Sequence, residues 1–298
     1  MSFAAEVKSE MCREPVSDQC CAVAECYGVL LFCNTFTGDE IRIVTECRPF
    51  FRRLPKLFRR AFGVKFDAVP EDTGRGKLTL TITGREKIAP LLDAFGASPD
   101  SLVAHHINFG ILEEECCRQS FMRGAFFAGG SVTDPQKRYH LEMVTDHYYV
   151  SREAVSLLLD MGFEPKITRR GGNYIVYFKN SAGIEDFLTT VGAPVASMEI
   201  MSAKIMKDVT NSVNRKVNCD TANVTKTVEA AQEQLEAIRR LEKSGALAAL
   251  PEKLRETASM RMENPELSLS QLAAALSPPV TKSCLNHRLK RLMELSQR

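Results

Sequence analysis

The segment Gln19-Cys-Cys-Ala-Val-Ala-Glu-Cys-Tyr-Gly28 has a counterpart 96 residues later, Glu115-Cys-Cys-Arg-Gln-Ser-Phe-Met-Arg-Gly124. The vicinal cysteines and the glycine coincide at that offset, and Gly96-Ala97 falls on Gly192-Ala193 in the same way. Between these anchors Ile41-Arg-Ile-Val-Thr-Glu46 resembles Leu141-Glu-Met-Val-Thr-Asp146, and residues 77–83 align with 173–179. Gly63-Val64 is echoed by Gly162-Phe163. The first two-thirds of the chain is therefore an internal duplication, with copies over about residues 18–97 and 114–193.

Each copy has the same order of patterns. A helix leads (about 19–32 and 115–128), followed by a hairpin and a second helix (49–62 and 151–161). An alternating hairpin and a short closing helix (85–95 and 184–191) complete the unit. Alternation in the strands gives each sheet one buried and one wet face. Two such copies pack as a pseudo-two-fold pair whose leading helices meet at the axis. Gly28, Gly124, Ala125, Ala128 and Gly129 would let those backbones approach closely. The expected fold class is α+β for residues 1–196, joined by a helical linker over 197–245 to an all-α domain over 246–298.

That last domain carries the functional signal. Ser268-Leu-Ser-Gln-Leu-Ala-Ala-Ala-Leu-Ser-Pro-Pro-Val-Thr-Lys-Ser-Cys-Leu-Asn-His-Arg-Leu-Lys-Arg-Leu292 reads as a short helix, a tight turn and a second helix. Ser268 and Gln271 have capping-box spacing, and Leu269, Leu272, Ala273 and Leu276 form one apolar face. Pro278 and Pro279 stop that helix because neither has an N–H to donate. Val280 packs into the corner, and Thr281 suits the N-cap of the next helix. There Leu285, Leu289 and Leu292 recur at helical spacing and face inward. Ser283, His287, Lys290 and Arg291 fall on the opposite side, with Asn286 on one flank and Arg288 on the other. Asn pairs with adenine, while Lys and Arg pair with guanine or phosphate. Residues 281–298 hold five Lys or Arg against one Glu, whereas 251–276 hold three against four. This is a helix-turn-helix with its positive charge on the reading helix. The expected DNA-binding set is Thr281, Lys282, Ser283, Asn286, His287, Arg288, Lys290 and Arg291, and the expected partner is double-stranded DNA. A helical cap with a solvated basic face is the plainer alternative.

Upstream, Ser197 to Asn218 and Thr221 to Lys243 read as two helices separated by polar residues. Lys204, Lys207, Arg215 and Lys216 give the first a basic side, suited to auxiliary phosphate contacts or simply to solvent. Asn211, Asn214, Asn218 and Asn223 are dense for helical sequence.

Composition excludes other classes. A length of 298 residues suits two domains, and 44% apolar content suits folded ones. The net charge of +2 gives no global attraction to nucleic acid, so any attraction is local. No apolar run is long enough to span a membrane, and the first ten residues lack a signal-peptide core. No membrane partner is expected; the expected location is the cytoplasm, at the nucleoid. None of the ten cysteines forms a C-x-x-C. Reduced thiols are expected, with no metal or other cofactor, and His105-His106 is only a weak exception.

Phe121-Met-Arg-Gly-Ala-Phe-Phe-Ala-Gly-Gly-Ser-Val132 resembles the helix of LAGLIDADG homing endonucleases. In that family a helix packs against its symmetry mate and an acidic residue at its end binds the catalytic metal. Here the D-A-D-G end falls on Phe127-Ala128-Gly129-Gly130, and in the first copy the acidic position falls on Cys33. Neither copy keeps the carboxylate that a hard cation needs, so no catalytic residue is expected. Asp134 lies five residues past the matched position. A magnesium-dependent nuclease using it is the enzymatic alternative.

The chain as a whole resembles the WhiA family of bacterial regulators, a degenerate LAGLIDADG domain followed by a helix-turn-helix. The resemblance rests on Phe126-Phe-Ala-Gly-Gly-Ser-Val-Thr-Asp-Pro135 with Tyr139-His-Leu-Glu142, and on Asn211-Ser-Val-Asn-Arg215 and Val217-Asn-Cys-Asp-Thr-Ala-Asn223. Leu250-Pro-Glu-Lys-Leu-Arg255, Pro278-Pro-Val-Thr-Lys-Ser283 and Asn286-His-Arg-Leu289 extend it to the end of the chain. It implies a DNA-binding transcriptional regulator of a Gram-positive cytoplasm without nuclease activity. The processes implied are cell division, chromosome segregation and, where it occurs, sporulation. A nucleoid-associated or protein-interaction scaffold, with another regulatory protein as partner, is the non-promoter alternative.

Overall fold

The duplicated pattern folds as two like halves in a computed structural model that describes residues 2–16, 18–72, 74, 76–98 and 104–297. The chain divides into two compact units, 1–207 and 208–298. Unit 1–207 begins with α1 (Phe3–Met11). The first copy then runs α2 (Gln19–Phe32), β1 (Thr35–Phe36), β2 (Glu40–Thr45), α3 (Arg48–Phe62), β3 (Leu78–Thr83) and α4 (Arg85–Ala94). The second runs α5 (Glu115–Gly129), β4 (Gly130–Val132), β5 (Leu141–Thr145), α6 (Tyr148–Asp160), β6 (Lys166–Arg170), β7 (Asn173–Phe178) and α7 (Ser181–Thr190). The antiparallel sheets are ordered β1-β2-β3 and β4-β5-β7-β6.

Alternation decides which face of each sheet is buried. Ile41 and Ile43 of β2 stand opposite Ile82 and Leu80 of β3, and all four are buried. Met143 and Val176 pair in the same way between β5 and β7. Helices α2 and α5 pack along the axis because their glycines leave no room for anything larger. A Cβ on Gly28 would lie 2.0 Å from the Phe121 carbonyl oxygen, and one on Gly124 would lie 2.1 Å from that of Glu25.

Beside this contact Glu25 is buried and paired with two arginines. Arg53 donates to both of its carboxylate oxygens, at 2.6 and 2.8 Å. Arg123 approaches at 3.4 Å and also donates to the Val191 carbonyl at 2.7 Å. Arg53 further donates to the Glu14 carbonyl at 2.5 Å. One carboxylate thus joins α2, α3 and α5.

The structure departs from the sequence pattern in four places. Helix α1 had no expectation behind it, yet Ser2 caps it and Phe3, Val7 and Met11 enter the core at helical spacing. The leading strand of the first copy's second hairpin is reduced to one bridge, Ala68 with Thr81. Pro70, which has no N–H for a ladder, and the glycines at 74 and 76 follow it. The two helices expected over 197–243 are one helix, α8 (Pro194–Lys243). After Pro194 it contains neither Pro nor Gly before Gly245, and an asparagine costs a helix interior only about 0.7 kcal/mol relative to alanine. The Glu10 carboxylate accepts the N–H groups of Val195 and Ala196 at the helix start, at 2.7 and 3.0 Å. The segment expected as a linker, 197–245, is therefore shared between the two units.

The fourth departure concerns the cysteines. Their spacing gave no metal-ligand set, but pairing the repeats does: the Sγ atoms of Cys20, Cys21, Cys116 and Cys117 lie within 4.8 Å of one another. His105 and His106 take other partners. His105 Nε2 is 2.7 Å from the Phe36 carbonyl oxygen, and His106 Nδ1 is 2.7 Å from Glu153.

The His105 ring also lies 4.4 Å from that of His147. Burial holds both imidazoles below their ordinary range, and at His105 the neighbouring His147 adds to the effect. The unfolded chain then binds protons more readily than the folded one. Stability should be intact above the free imidazole value of about 6.5 and fall as pH drops below it. Thermal melts between neutral and mildly acidic pH should show this loss, and a His147→Gln variant should show less of it.

Candidate nucleic-acid interface

Unit 208–298 combines the end of α8 with α9 (Glu252–Glu263), α10 (Leu269–Ala275) and α11 (Lys282–Leu295). Its core contains Ile238 and Leu241 of α8 with Ala258, Leu272, Ala273, Leu276, Leu285, Leu289 and Leu292. Val280 and Leu269 pack against this core from its edge. The α8 residues belong to the segment expected as linker, and α9 was not anticipated from the sequence.

The turn forms as the sequence dictates. Ser268 and Gln271 make a reciprocal capping box at the start of α10. The chain turns through Ser277-Pro278-Pro279, and the Val280 N–H donates to the Ala273 carbonyl at 3.0 Å. Thr281 caps α11, its hydroxyl accepting the Cys284 N–H at 3.2 Å. Three buried leucines, Leu285, Leu289 and Leu292, then fix how α11 is rotated. That rotation leaves Lys282, Ser283, His287, Lys290 and Arg291 exposed, with Asn286 half-buried on the flank.

Two of the arginines have protein partners. Arg288 leans toward α9 and donates to the Thr257 hydroxyl at 3.4 Å. Arg291 pairs with Glu294 at 3.1 Å, one turn along the helix. That pair is exposed, so a phosphate can compete for the guanidinium at little cost. Arg298, counted in the basic end of the sequence, lies outside the described residues.

Sequence reasoning missed Lys226 and Arg261. Both line one cleft with Lys282, Ser268 and Ser270. Arg261 is only 2% exposed and donates to the Leu267 carbonyl at 2.8 Å. Its Nε has no hydrogen-bond partner among the described residues, and burial lowers its pKa. Its position in an otherwise helical, solvated segment left no pattern to find it by.

Of the auxiliary lysines and arginines on α8, Lys204, Arg215 and Lys216 are exposed. Lys207 differs: its ammonium donates to the Pro135 carbonyl at 2.6 Å and lies 4.5 Å from the centre of the Tyr139 ring.

The positions matching the endonuclease carboxylates are Cys33 and Gly129, at the ends of α2 and α5. They line a cleft with Asn34, Thr145 and Asp146. The Cys33 thiol donates to the carbonyls of Leu30 and Thr35, both at 3.2 Å, and burial pushes it up to about 12. A Cβ at Gly129 would lie 2.4 Å from the Val144 carbonyl oxygen, so no aspartate fits there without a backbone shift. Asp146 brings a carboxylate to the cleft, but a pair of hard-cation ligands is not formed by positions 33 and 129. Asp134 is not part of the cleft lining; its carboxylate accepts the Gln136 N–H within a turn, at 2.9 Å. No helix among the described residues is long and apolar enough to cross a membrane.

Comparison with known proteins agrees with this division. Residues 118–210 match the model of the WhiA LAGLIDADG-like domain, and 213–296 match that of the WhiA C-terminal HTH domain. The chain is 39% identical over 307 residues to a "Probable cell division protein WhiA" of Ruminiclostridium cellulolyticum, covering 100% of this chain and 98% of the relative. It is 36% identical over 310 residues to the protein of that name from Alkaliphilus oremlandii, covering 99% and 97%. In fold it is similar to full-length DUF199/WhiA from Thermotoga maritima, with a TM-score of 0.61 and 24% identity, over 100% of this chain and 99% of the other. The isolated N-terminal LAGLIDADG domain of DUF199/WhiA aligns with a TM-score of 0.51 and 21% identity, over 64% of this chain and 92% of that domain. With both domains present in this order and similarity running the length of the chain, the chain belongs to the WhiA family.

Proposed function

We propose that the chain is a sequence-reading DNA-binding regulator that acts in cell division at the bacterial nucleoid and has no nuclease activity. The observation that carries this reading is the outer face of α11. Ser283, His287, Lys290 and Arg291 point outward from a helix whose rotation is fixed by buried leucines, with Asn286 beside them. That arrangement puts base-edge donors and acceptors next to phosphate-binding cations. Lys226 and Lys282 line a cleft within the same unit and supply further positive charge for the phosphate backbone. Lys204, Arg215 and Lys216 are available for non-specific contacts. The missing carboxylates at Cys33 and Gly129 support the absence of cleavage, since two-metal phosphodiester hydrolysis needs oxygen ligands in place. The relatives' name supports the role in cell division; transcriptional control, chromosome segregation and sporulation are finer parts of the same proposal.

The test is binding of the full-length protein to duplexes enriched from genomic fragments and to random duplexes, at two salt concentrations with magnesium present. Enriched duplexes should bind at least about 10³-fold more tightly, and supercoiled DNA should stay intact. Equal binding to both, in the non-specific range of about 10⁻⁴ to 10⁻⁶ M, would overturn the reading in favour of a scaffold. Lys290→Ala or Arg291→Ala should weaken enriched and random DNA alike and lower the salt slope by about one each. The slope of log K against log salt checks this.

A further inference from the structure

The vicinal cysteines lie at equivalent places on the two leading helices. Cys20 and Cys21 are the second and third residues of α2, and Cys116 and Cys117 are the second and third residues of α5. Closely packed axis helices, locked by the Gly28 and Gly124 backbone contacts, carry these first turns toward each other. All four sulfurs lie within 4.8 Å of one another. We propose that Cys20, Cys21, Cys116 and Cys117 form a tetrathiolate zinc site that clamps the two repeats together.

The number, type and spacing of the ligands all favour this metal. Structural zinc is four-coordinate and tetrahedral, with Zn–S of about 2.3 Å, so its four sulfurs sit about 3.8 Å apart. The observed upper limit of 4.8 Å is within about 1 Å of that spacing. A polynuclear iron–sulfur cluster would have to spread the thiolates much further. Zinc also suits soft sulfur ligands, whereas calcium or magnesium would require oxygens. The ligands come from two segments 96 residues apart, which is why no short cysteine spacing marks the site in the sequence.

The surroundings suit loading and retention of the ion. Cys20 and Cys116 are exposed, Cys21 is half-buried and Cys117 is buried, giving an entry side and a closed side. Without a cation, burial and contact with neighbouring sulfurs raise the Cys21 thiol to about 11 and push Cys117 upward as well. Binding exchanges four thiol protons, released to solvent, for four Zn–S bonds, with no change of oxidation state. Affinity therefore rises with pH. The four ligands meet only when folding brings residues 20–21 to 116–117, so the ion's binding energy adds to the stability of unit 1–207.

The experiment uses full-length protein purified under reducing conditions. Elemental analysis should find about one zinc per chain. Protein stripped by a chelator and loaded with Co²⁺ should show the strong near-ultraviolet charge-transfer and red ligand-field bands of a tetrahedral tetrathiolate. Chelation should also lower the melting temperature. A Cys20→Ala/Cys116→Ala protein, altered only at exposed ligands, should lose the cobalt bands, while Cys219→Ala/Cys284→Ala should keep them. Circular dichroism checks that each variant is folded, and the wild-type cobalt spectrum stands whatever the variants do. Wild-type protein that gives no thiolate bands with Co²⁺ would overturn the proposal. Bands that persist in folded Cys20→Ala/Cys116→Ala protein would overturn it too, as would a disulfide among these cysteines with no metal uptake once reduced. The DNA-reading proposal rests on α11 and is untouched by any of these results.

Discussion

Replacing Glu25 with alanine should destabilise unit 1–207 by about 3–5 kcal/mol, the usual consequence of removing one partner from a buried ion pair. Glu25 is 2% exposed, and its partners Arg53 and Arg123 are 7% and 8% exposed. Without the carboxylate, two guanidinium groups remain in the core with, among the described residues, the carbonyls of Glu14, Cys12 and Val191 to satisfy them. Glu25→Gln should cost less, because it keeps an acceptor for Arg53, and a Glu25→Leu/Arg53→Met pair should recover part of the loss. Urea denaturation followed by circular dichroism measures all three. A loss below about 1 kcal/mol for Glu25→Ala would mean that the charged cluster is hydrated or rearranged and does not join α2, α3 and α5 as described.

The second large effect concerns recognition. Asn286→Ala and His287→Ala should each reduce the preference for enriched over random DNA by about 1–3 kcal/mol, roughly 5- to 150-fold. Affinity for random DNA should hardly change, because both substitutions leave in place the lysines and arginines that hold the phosphate backbone. That is the opposite of the signature expected for Lys290→Ala and Arg291→Ala. Binding constants on matched enriched and random duplexes separate the two classes. If all four substitutions behave alike, α11 contributes charge without reading bases.

Much of this architecture was legible because its signals are local and periodic. The capping box at Ser268, the two prolines of the turn, and the leucines at 285, 289 and 292 each specify a backbone state on their own. The duplication was readable from Cys20-Cys21, Gly28 and their counterparts, and Gly28 with Gly124 gave the close helix contact. What escaped was what depends on distant partners. Helix α1 earns its place only by burying Phe3, Val7 and Met11 against elements far along the chain. The break expected near Asn218 failed to appear, since asparagine disfavours a helix interior without ending it. Arg261 and the four-cysteine cluster become distinctive only after folding, when residues from separate segments converge. The endonuclease likeness was readable in outline, and the loss of its carboxylates followed from Cys33 and Gly129. Only the structure shows that the Val144 carbonyl leaves no space for a side chain at position 129.

The central claim is that the outer face of α11 reads DNA sequence. The most direct test is full-length protein carrying Ser283→Ala, Asn286→Ala, His287→Ala and Lys290→Ala together, measured on enriched and random duplexes. These positions lie on the solvent side or flank of α11, outside the leucine core, so the fold should survive. The account predicts that the preference for enriched DNA disappears while salt-sensitive, non-specific binding remains. Retained preference would contradict it and would move sequence reading to the sheets of the LAGLIDADG-like unit.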